Sequence, residues 1–345
     1  MTSLTTCLDG AVFEFPNHPF NLGGMPYDNT FHFSSSSIQN NVAVQVSSSS
    51  AVDLNVTQAT TSDARLQVRI EFVAKRLATM PRRFAEQGRT MFIHRMQFQH
   101  TCPPTLQDAM SACALYSMKS EANQALVFRN LEHKCQQLIA STNAQLASKT
   151  DLLAALQALL LYQMIRLFDG DIRLRVHAEA DEPITMLWAS QLRAFTRNNA
   201  VQQGTAQLAP DTSTRTTIDC YEPDSNWQCW LVDESIRRTV IITFLLQGVY
   251  NFLKLGYDSP TDLRLCFTAQ TALWSAQSEI GWRWVQEHGE RLEIRVTQWE
   301  DAIARAKPMD LEELGVLIMI MLWGPEPTRV WLGQGFTVKF GLGKA

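Results

Sequence analysis

Residues 151–168, DLLAALQALLLYQMIRLF, are apolar on nearly every side of a helical projection. A helix with one apolar stripe can lie on a protein surface, but a helix that is apolar all round has to be enclosed. This segment therefore predicts the central helix of a helical core, with Thr150 as its N-cap.

The sequence around it keeps the same 3.6-residue period. Leu66, Ile70, Val73 and Leu77 form one stripe of a helix that stops before Pro81. Thr105, after Pro103 and Pro104, is placed to cap a helix running to about Met118. Phe128, Leu131, Cys135 and Leu138 mark the next helix, and Trp188, Leu192 and Phe195 another. Residues 227–255 carry the longest pattern, and shorter ones cover 262–276, 278–288, 296–306 and 309–323. Alternation of strand type is confined to a weak run at Phe336–Phe340. The expected fold is all-α, a multi-helix body. A chain of 345 residues can bury about three quarters of its unfolded surface, so no disulfide or metal staple is needed.

Charge and composition divide the chain. No Lys or Arg precedes Arg65, while Asp9, Glu14, Asp28, Asp53 and Asp63 stand uncompensated. Serine runs at 34–37 and 47–50 offer little to offset the entropy of ordering the backbone. Residues 1–63 are therefore expected to be a disordered acidic tail, with Phe13, Phe15, Phe20, Phe31 and Phe33 as its sticky points. The helical body is expected over 64–332, interrupted by a polar loop at 199–225. From Gly324 the sequence is rich in Gly and Pro, and 333–345 is expected to be an irregular tail.

Several function classes find no support. The net charge of −4 argues against a basic nucleic-acid coat. Seven scattered cysteines without a CxxC pair predict a reduced, intracellular protein. No basic start precedes an apolar run, so no signal peptide is expected. Val240–Leu255 is interrupted by Gln247, Asn251 and Lys254, so no membrane partner is expected. Nucleophile-elbow, HExxH, phosphate-loop and dinucleotide fingerprints are missing from the sequence. The seven histidines never fall at i, i+4, so neither metal nor cofactor is expected and no catalytic residue is assigned.

The remaining candidates are charges in apolar surroundings. Asp169 and Asp171 could share acid–base work, or supply the turn and cap between two helices. Glu234, Arg237 and Arg238 lie at i, i+3 and i+4 on an otherwise apolar helix, where unpaired charges are costly. They fit an ion-pair network, a ligand pocket or a protein interface. With Arg166, these make six candidate pocket or interface residues, and nine tryptophans could serve as walls.

Five phrases occur in order: FAEQGRTMFIH from Phe84, LQDAMSACALY from Leu106, ALLLYQMIRLFDGD from Ala158, ESIRRT from Glu234 and FTAQTALW from Phe267. Together they resemble the helical regulatory region of fungal zinc-cluster transcription factors, over about residues 65–332. In that family a cluster of six cysteines and two zinc ions, with interleaved basic residues, precedes this region. Here the corresponding stretch holds only Cys7 and no basic residue. The resemblance thus implies a regulator without its own zinc cluster and without direct sequence-specific DNA contact. It would act through a protein partner, either a full-length zinc-cluster regulator or a second copy, or through a small-molecule effector. The resemblance further implies control of fungal metabolism, secondary metabolism included, and a place in the nucleus, with the cytoplasm as the other option. The rival implication is a regulator scaffold reused as an enzyme or ligand carrier in a fungal biosynthetic pathway.

Overall fold

A computed structural model describes residues 51–98, 102–203, 226–256, 265–289, 292–296 and 299–343, with side chains omitted over 51–63 and 196–203. Up to Leu255 the elements among the described residues are all helices: α1 (Ala51–Ala78), α2 (Met80–Gln87), α3 (Pro104–Ser117), α4 (Gln124–Ser141), α5 (Lys149–Phe168), α6 (Ile172–Ala180), α7 (Glu182–Gln203) and α8 (Trp227–Leu255). Shorter elements follow: β1 (Cys266–Thr268), α9 (Thr271–Trp274), α10 (Glu279–His288), β2 (Glu293–Arg295), α11 (Trp299–Ile303), α12 (Glu313–Trp323), α13 (Pro325–Leu332) and α14 (Gln334–Lys339). Among the described residues the fold is all-α apart from one pair of three-residue strands.

Helix α5 is the axis of the bundle. Every residue from Leu152 to Phe168 is buried, and helices α1–α4 and α6–α8 all pack against it. By length and composition α5 could cross a membrane, but its apolar surface is enclosed by protein. Its cap is Ser148, whose Oγ accepts from the Asp151 N–H at 3.1 Å, and not Thr150. Both hydroxyls suit that role, and the chain enters the helix two residues earlier than the apolar run suggests. Helix α3 likewise starts at Pro104, ahead of Thr105. Proline fits the first turn because its missing N–H would have no partner there.

The apolar stripes face inward as their spacing requires. Ile70, Val73 and Leu77 of α1 are fully buried, as are Phe128, Leu131, Cys135 and Leu138 of α4 to within a few per cent. Gly88, at φ 65°, ends α2 and turns the chain inward. The Thr90 hydroxyl then accepts from the N–H groups of Phe92 and Ile93, holding Met91–Ile93 in the core. Cys113, Cys135 and Cys266 are buried cysteines, and Cys102 and Cys229 are exposed ones.

Several boundaries differ from expectation. Helix α1 begins at Ala51, inside the stretch expected as tail, and residues 1–50 lie outside the described residues. Helix α7 extends to Gln203, and the rest of the expected loop, 204–225, also lies outside them. Of the helix expected over 262–276, residues 262–264 lie outside the described residues, and from 265 on β1 and the short α9 stand in its place. Strand β1 pairs antiparallel with β2, setting Phe267 opposite Ile294, both buried. Strands of three residues are too short to display a period of two.

The C-terminal expectation also needs correcting. Gly324, at φ 97°, breaks α12, and Pro325 starts α13 directly after it. Gly333, at φ 73°, makes the next corner, so α14 occupies the weakly alternating 336–340. Glycine and proline here mark sharp helix–helix corners rather than irregular chain. Phe340 and Leu342 are buried in the main core, which therefore extends past residue 332. A second, smaller cluster gathers Trp227, Trp230, Leu231, Leu273, Trp274 and Trp282.

Shortening a fully buried side chain of α5 tests this arrangement. Leu160→Ala should cost about 2–5 kcal/mol of unfolding free energy in denaturant titration. Val330→Ala, at a site 83% exposed on α13, should change it by less than about 0.5 kcal/mol.

Candidate functional site

The six candidate side chains fall into two groups. The first is on α8, where Glu234 and Arg238 have no solvent exposure and Arg237 has little. Glu234 Oε2 accepts from Arg237 Nε at 3.0 Å and Nη2 at 2.7 Å. Its Oε1 accepts from Arg238 Nε at 2.7 Å and from the Thr268 N–H at 3.0 Å. All four bonds satisfy one carboxylate, as a charge without water requires. Burial pulls the Arg237 guanidinium down, but the Glu234 carboxylate more than offsets this and holds it above its ordinary value.

Arg238 reaches further. Its Nη1 donates to the Met91 carbonyl at 3.0 Å and lies 2.8 Å from Glu312 Oε1. Its Nη2 donates to the Thr268 carbonyl at 2.5 Å. The guanidinium stands 3.8 Å over the Trp274 ring, in cation–π contact. One side chain thus joins α8 to the 88–98 loop, β1, α9 and the start of α12. Burial pushes the Glu312 carboxyl up to about 7, with Arg238 acting against that rise. His94 packs edge-on against Trp274 at 5.0 Å, and its Nδ1 accepts from the Met96 N–H. Burial first, and then the Arg238 charge, lower His94 to about 4.

The second group surrounds the α5–α6 turn. Arg166, 2% exposed, donates through Nη1 to Asp181 Oδ2 at 2.7 Å. The Cys135 thiol lies 3.8 Å from the same oxygen, and burial pushes it up to about 12, so it stays a thiol. Asp169 Oδ2 accepts from the Tyr116 hydroxyl at 2.8 Å and from Lys119 Nζ at 2.5 Å. Asp171 caps α6, accepting from the Leu174 N–H at 2.9 Å. Asp169 and Asp171 therefore serve different partners.

The two groups are not brought together. Helices α5 and α8 run side by side, with Gln157 bonded to Thr239 and Leu167 beside Tyr250. That register leaves Arg166 and Glu234 about fourteen residues apart along the axis, roughly 20 Å. The cavity nearest the second group, lined by Gln163, Leu167, Glu179, Glu182, Gln247 and Tyr250, holds about 20 Å³. That is room for about one water. Among the described residues, no group of three or more His, Cys, Asp or Glu side chains is placed to hold a metal ion.

Comparison with known proteins now bears on this geometry. The chain is similar to the transcription factor gsfR2 of Penicillium aethiopicum, at 52% identity over 336 residues, covering 96% of this chain and 76% of the relative. The chain belongs to the family of that transcription factor. No protein-family profile matches it, and no solved structure does. Kinship at this depth makes the chain a transcription regulator.

Within this regulator, several residues at the α8 hub escape the sequence reading. Glu312, Met91, Thr268, Trp274 and His94 all meet Arg238 or its neighbours only through the fold. One signal did exist: two arginines against a single carboxylate leave one positive charge over, which calls for a second acid. Gln157 and Gln97 form a second missed feature, a buried amide pair bonded in both directions at 3.1 and 3.2 Å. Gln157 also donates to the Phe92 carbonyl at 2.9 Å, tying the 88–98 loop to α5.

Two outcomes are expected. Removing the carboxylate with Glu234→Ala leaves two buried guanidiniums short of a counter-charge, and should cost about 3–5 kcal/mol in denaturant titration. His94, held below its ordinary value by the fold, gives stability that is present above its unfolded pKa near 6.5 and lost as pH falls towards 4. Glu312 has the opposite sign, since a raised carboxyl weakens the fold as pH rises through about 7. Comparing wild type with His94→Gln cancels the Glu312 contribution. Between pH 7 and 4.5 the wild type should lose on the order of 3 kcal/mol more than the variant.

Proposed function

We propose that this chain is a regulator of fungal metabolism, secondary metabolism included, whose helical body works through protein contacts or an effector. The observation that carries this is the 52% identity to a transcription factor over nearly the whole chain. The internal geometry supports it. The six candidate charges are bonded to partners within the fold, which leaves the outer helix faces as the surfaces that meet other molecules.

The 345 residues hold seven cysteines, none in a zinc-cluster arrangement, and their stretch before Arg65 has no basic side chain to meet phosphate. On this reading, DNA contact by these residues runs through a partner, either a zinc-cluster regulator or a second copy of this chain. Work of that kind places the protein in the nucleus. The body over about 64–332, with its core reaching Leu342, is the regulatory domain. The rival reading, an enzyme or carrier, would need those six side chains free to face a ligand. Each of the six instead makes at least one bond within the fold, which favours the regulator reading.

A strain lacking this gene provides the test, with transcripts and small-molecule extracts taken from the same cultures. A set of transcripts should fall or rise together, and their products should follow. Steady transcripts with a single accumulating intermediate would overturn the reading.

A further inference from the structure

The small cavity between α5, α6, α7 and α8 is lined mostly by polar side chains, although the bundle around it is apolar. Their hydrogen bonding is one-sided. Thr185 donates its hydroxyl proton to the Asp181 carbonyl at 3.1 Å, and Thr243 donates to the Thr239 carbonyl at 2.9 Å. The Tyr250 hydroxyl donates to Glu179, and Gln247 donates an amide N–H to Asn251 Oδ1 at 3.0 Å. Gln163 Nε2 donates to the Ala178 carbonyl at 3.0 Å and to Thr185 Oγ1 at 3.3 Å. A carbonyl can only accept, which fixes the orientation of that amide. The other end, Gln163 Oε1, has no partner, although the residue is 3% exposed. Among the side chains lining the cavity it is the one buried polar atom left without a bond, and such an acceptor is costly.

Glu179 and Glu182 complete the wall. Glu179 is held by Tyr250 and by Lys254 Nζ at 2.7 Å. Glu182 has no ion-pair partner among the described residues, and Arg175 is near enough to act on Glu179 and Tyr250. These four charges balance in number. Arg166 is bonded to Asp181 and does not line the cavity. Hydrogen bonding, more than net charge, therefore selects an occupant: the side-chain amide and hydroxyl donors are engaged, and acceptors remain.

We propose that this cavity binds an ammonium-type group, either the free ammonium ion or the terminal –NH3+ of a small amine. Such a group carries three or four N–H donors and no acceptor, the complement of this wall. It is about the size of the single water that about 20 Å³ admits. A water would bring lone pairs that the engaged donors leave unmet. Glu182 and Gln247 are half-buried, so the cavity meets the surface on their side, where the tail of an amine can remain outside. The occupant would tie Gln163 of α5 to α7 and α8. This inference rests on the cavity alone and stands whether or not the proposed metabolic role does.

Thermal unfolding of the full chain near neutral pH tests it, in ammonium chloride against equal concentrations of sodium, potassium and tetramethylammonium chloride. Ammonium should raise Tm by about 2–3 °C at ten times its dissociation constant, and the other three should not. Methylammonium separates the two sources: a matching rise identifies the end of an amine, and no rise the free ion. Thr243→Val and Gln163→Met each remove an acceptor and should lower the ammonium affinity at least several-fold, whatever they do to Tm itself. Glu279→Gln, on α10, should leave it unchanged. Nitrogen-15-labelled ammonium gives a direct reading, since enclosed N–H protons exchange slowly with water and should show a nuclear Overhauser effect to the Tyr250 ring. A rise shared equally by sodium or potassium, a rise that survives both variants, or none at all would overturn the proposal.

Discussion

Glu234 carries its charge with no access to water, so everything that offsets the charge must lie within hydrogen-bonding distance. The helix supplies two guanidiniums one turn away, and β1 supplies a backbone N–H. That solves the problem of the carboxylate but leaves a surplus positive charge on Arg238. Glu312 and the carbonyls of Met91 and Thr268 absorb it. A loop, a strand and the start of a helix, from sequence positions as far apart as 91 and 312, are thus held to one side chain. Such a network adds little net stability over apolar packing of the same volume, but it leaves few ways for those segments to be arranged. Its worth to the fold is geometric.

What the sequence makes legible follows from range. The long helices show their faces because a 3.6-residue stripe repeats over several turns, and α5 shows its central place because it lacks a polar face. The charge triplet on α8 is legible for the same reason, since its members are one turn apart. Its outer partners are not. Glu312 sits in an unremarkable LEEL, and Met91 contributes only a carbonyl, which every residue has. Trp274 reads as one more tryptophan until the fold sets it under a guanidinium. The strand pair is hidden by its brevity, and the last helices by glycine and proline, which mark corners and irregular chain alike.

The polar residues of α5 illustrate how an apolar helix organises its neighbours. Gln157 and Gln163 are buried, six residues apart, and each spends its amide on a different part of the bundle. Gln157 holds the 88–98 loop and Thr239 of α8. Gln163 donates to the Ala178 carbonyl and to Thr185, fixing the α6–α7 junction. An amide cannot remain unpaired in such surroundings without a penalty of about 1–3 kcal/mol. Each glutamine therefore selects one packing of the surrounding helices, where leucine in its place would accept several.

The bundle then has charged anchors at both ends and neutral hydrogen bonds between them. At one end Arg166 and Asp169 fasten α3, α6 and α7 to α5; at the other Arg238 fastens the segments that follow α8. The anchors share no side chain, and what lies between them is close-packed helix. Any displacement at one end would have to pass through the packed helices α5 and α8, and packed cores move between discrete arrangements rather than deforming smoothly. For a regulator this divides the labour by position. The interior fixes the relative placement of the outer faces.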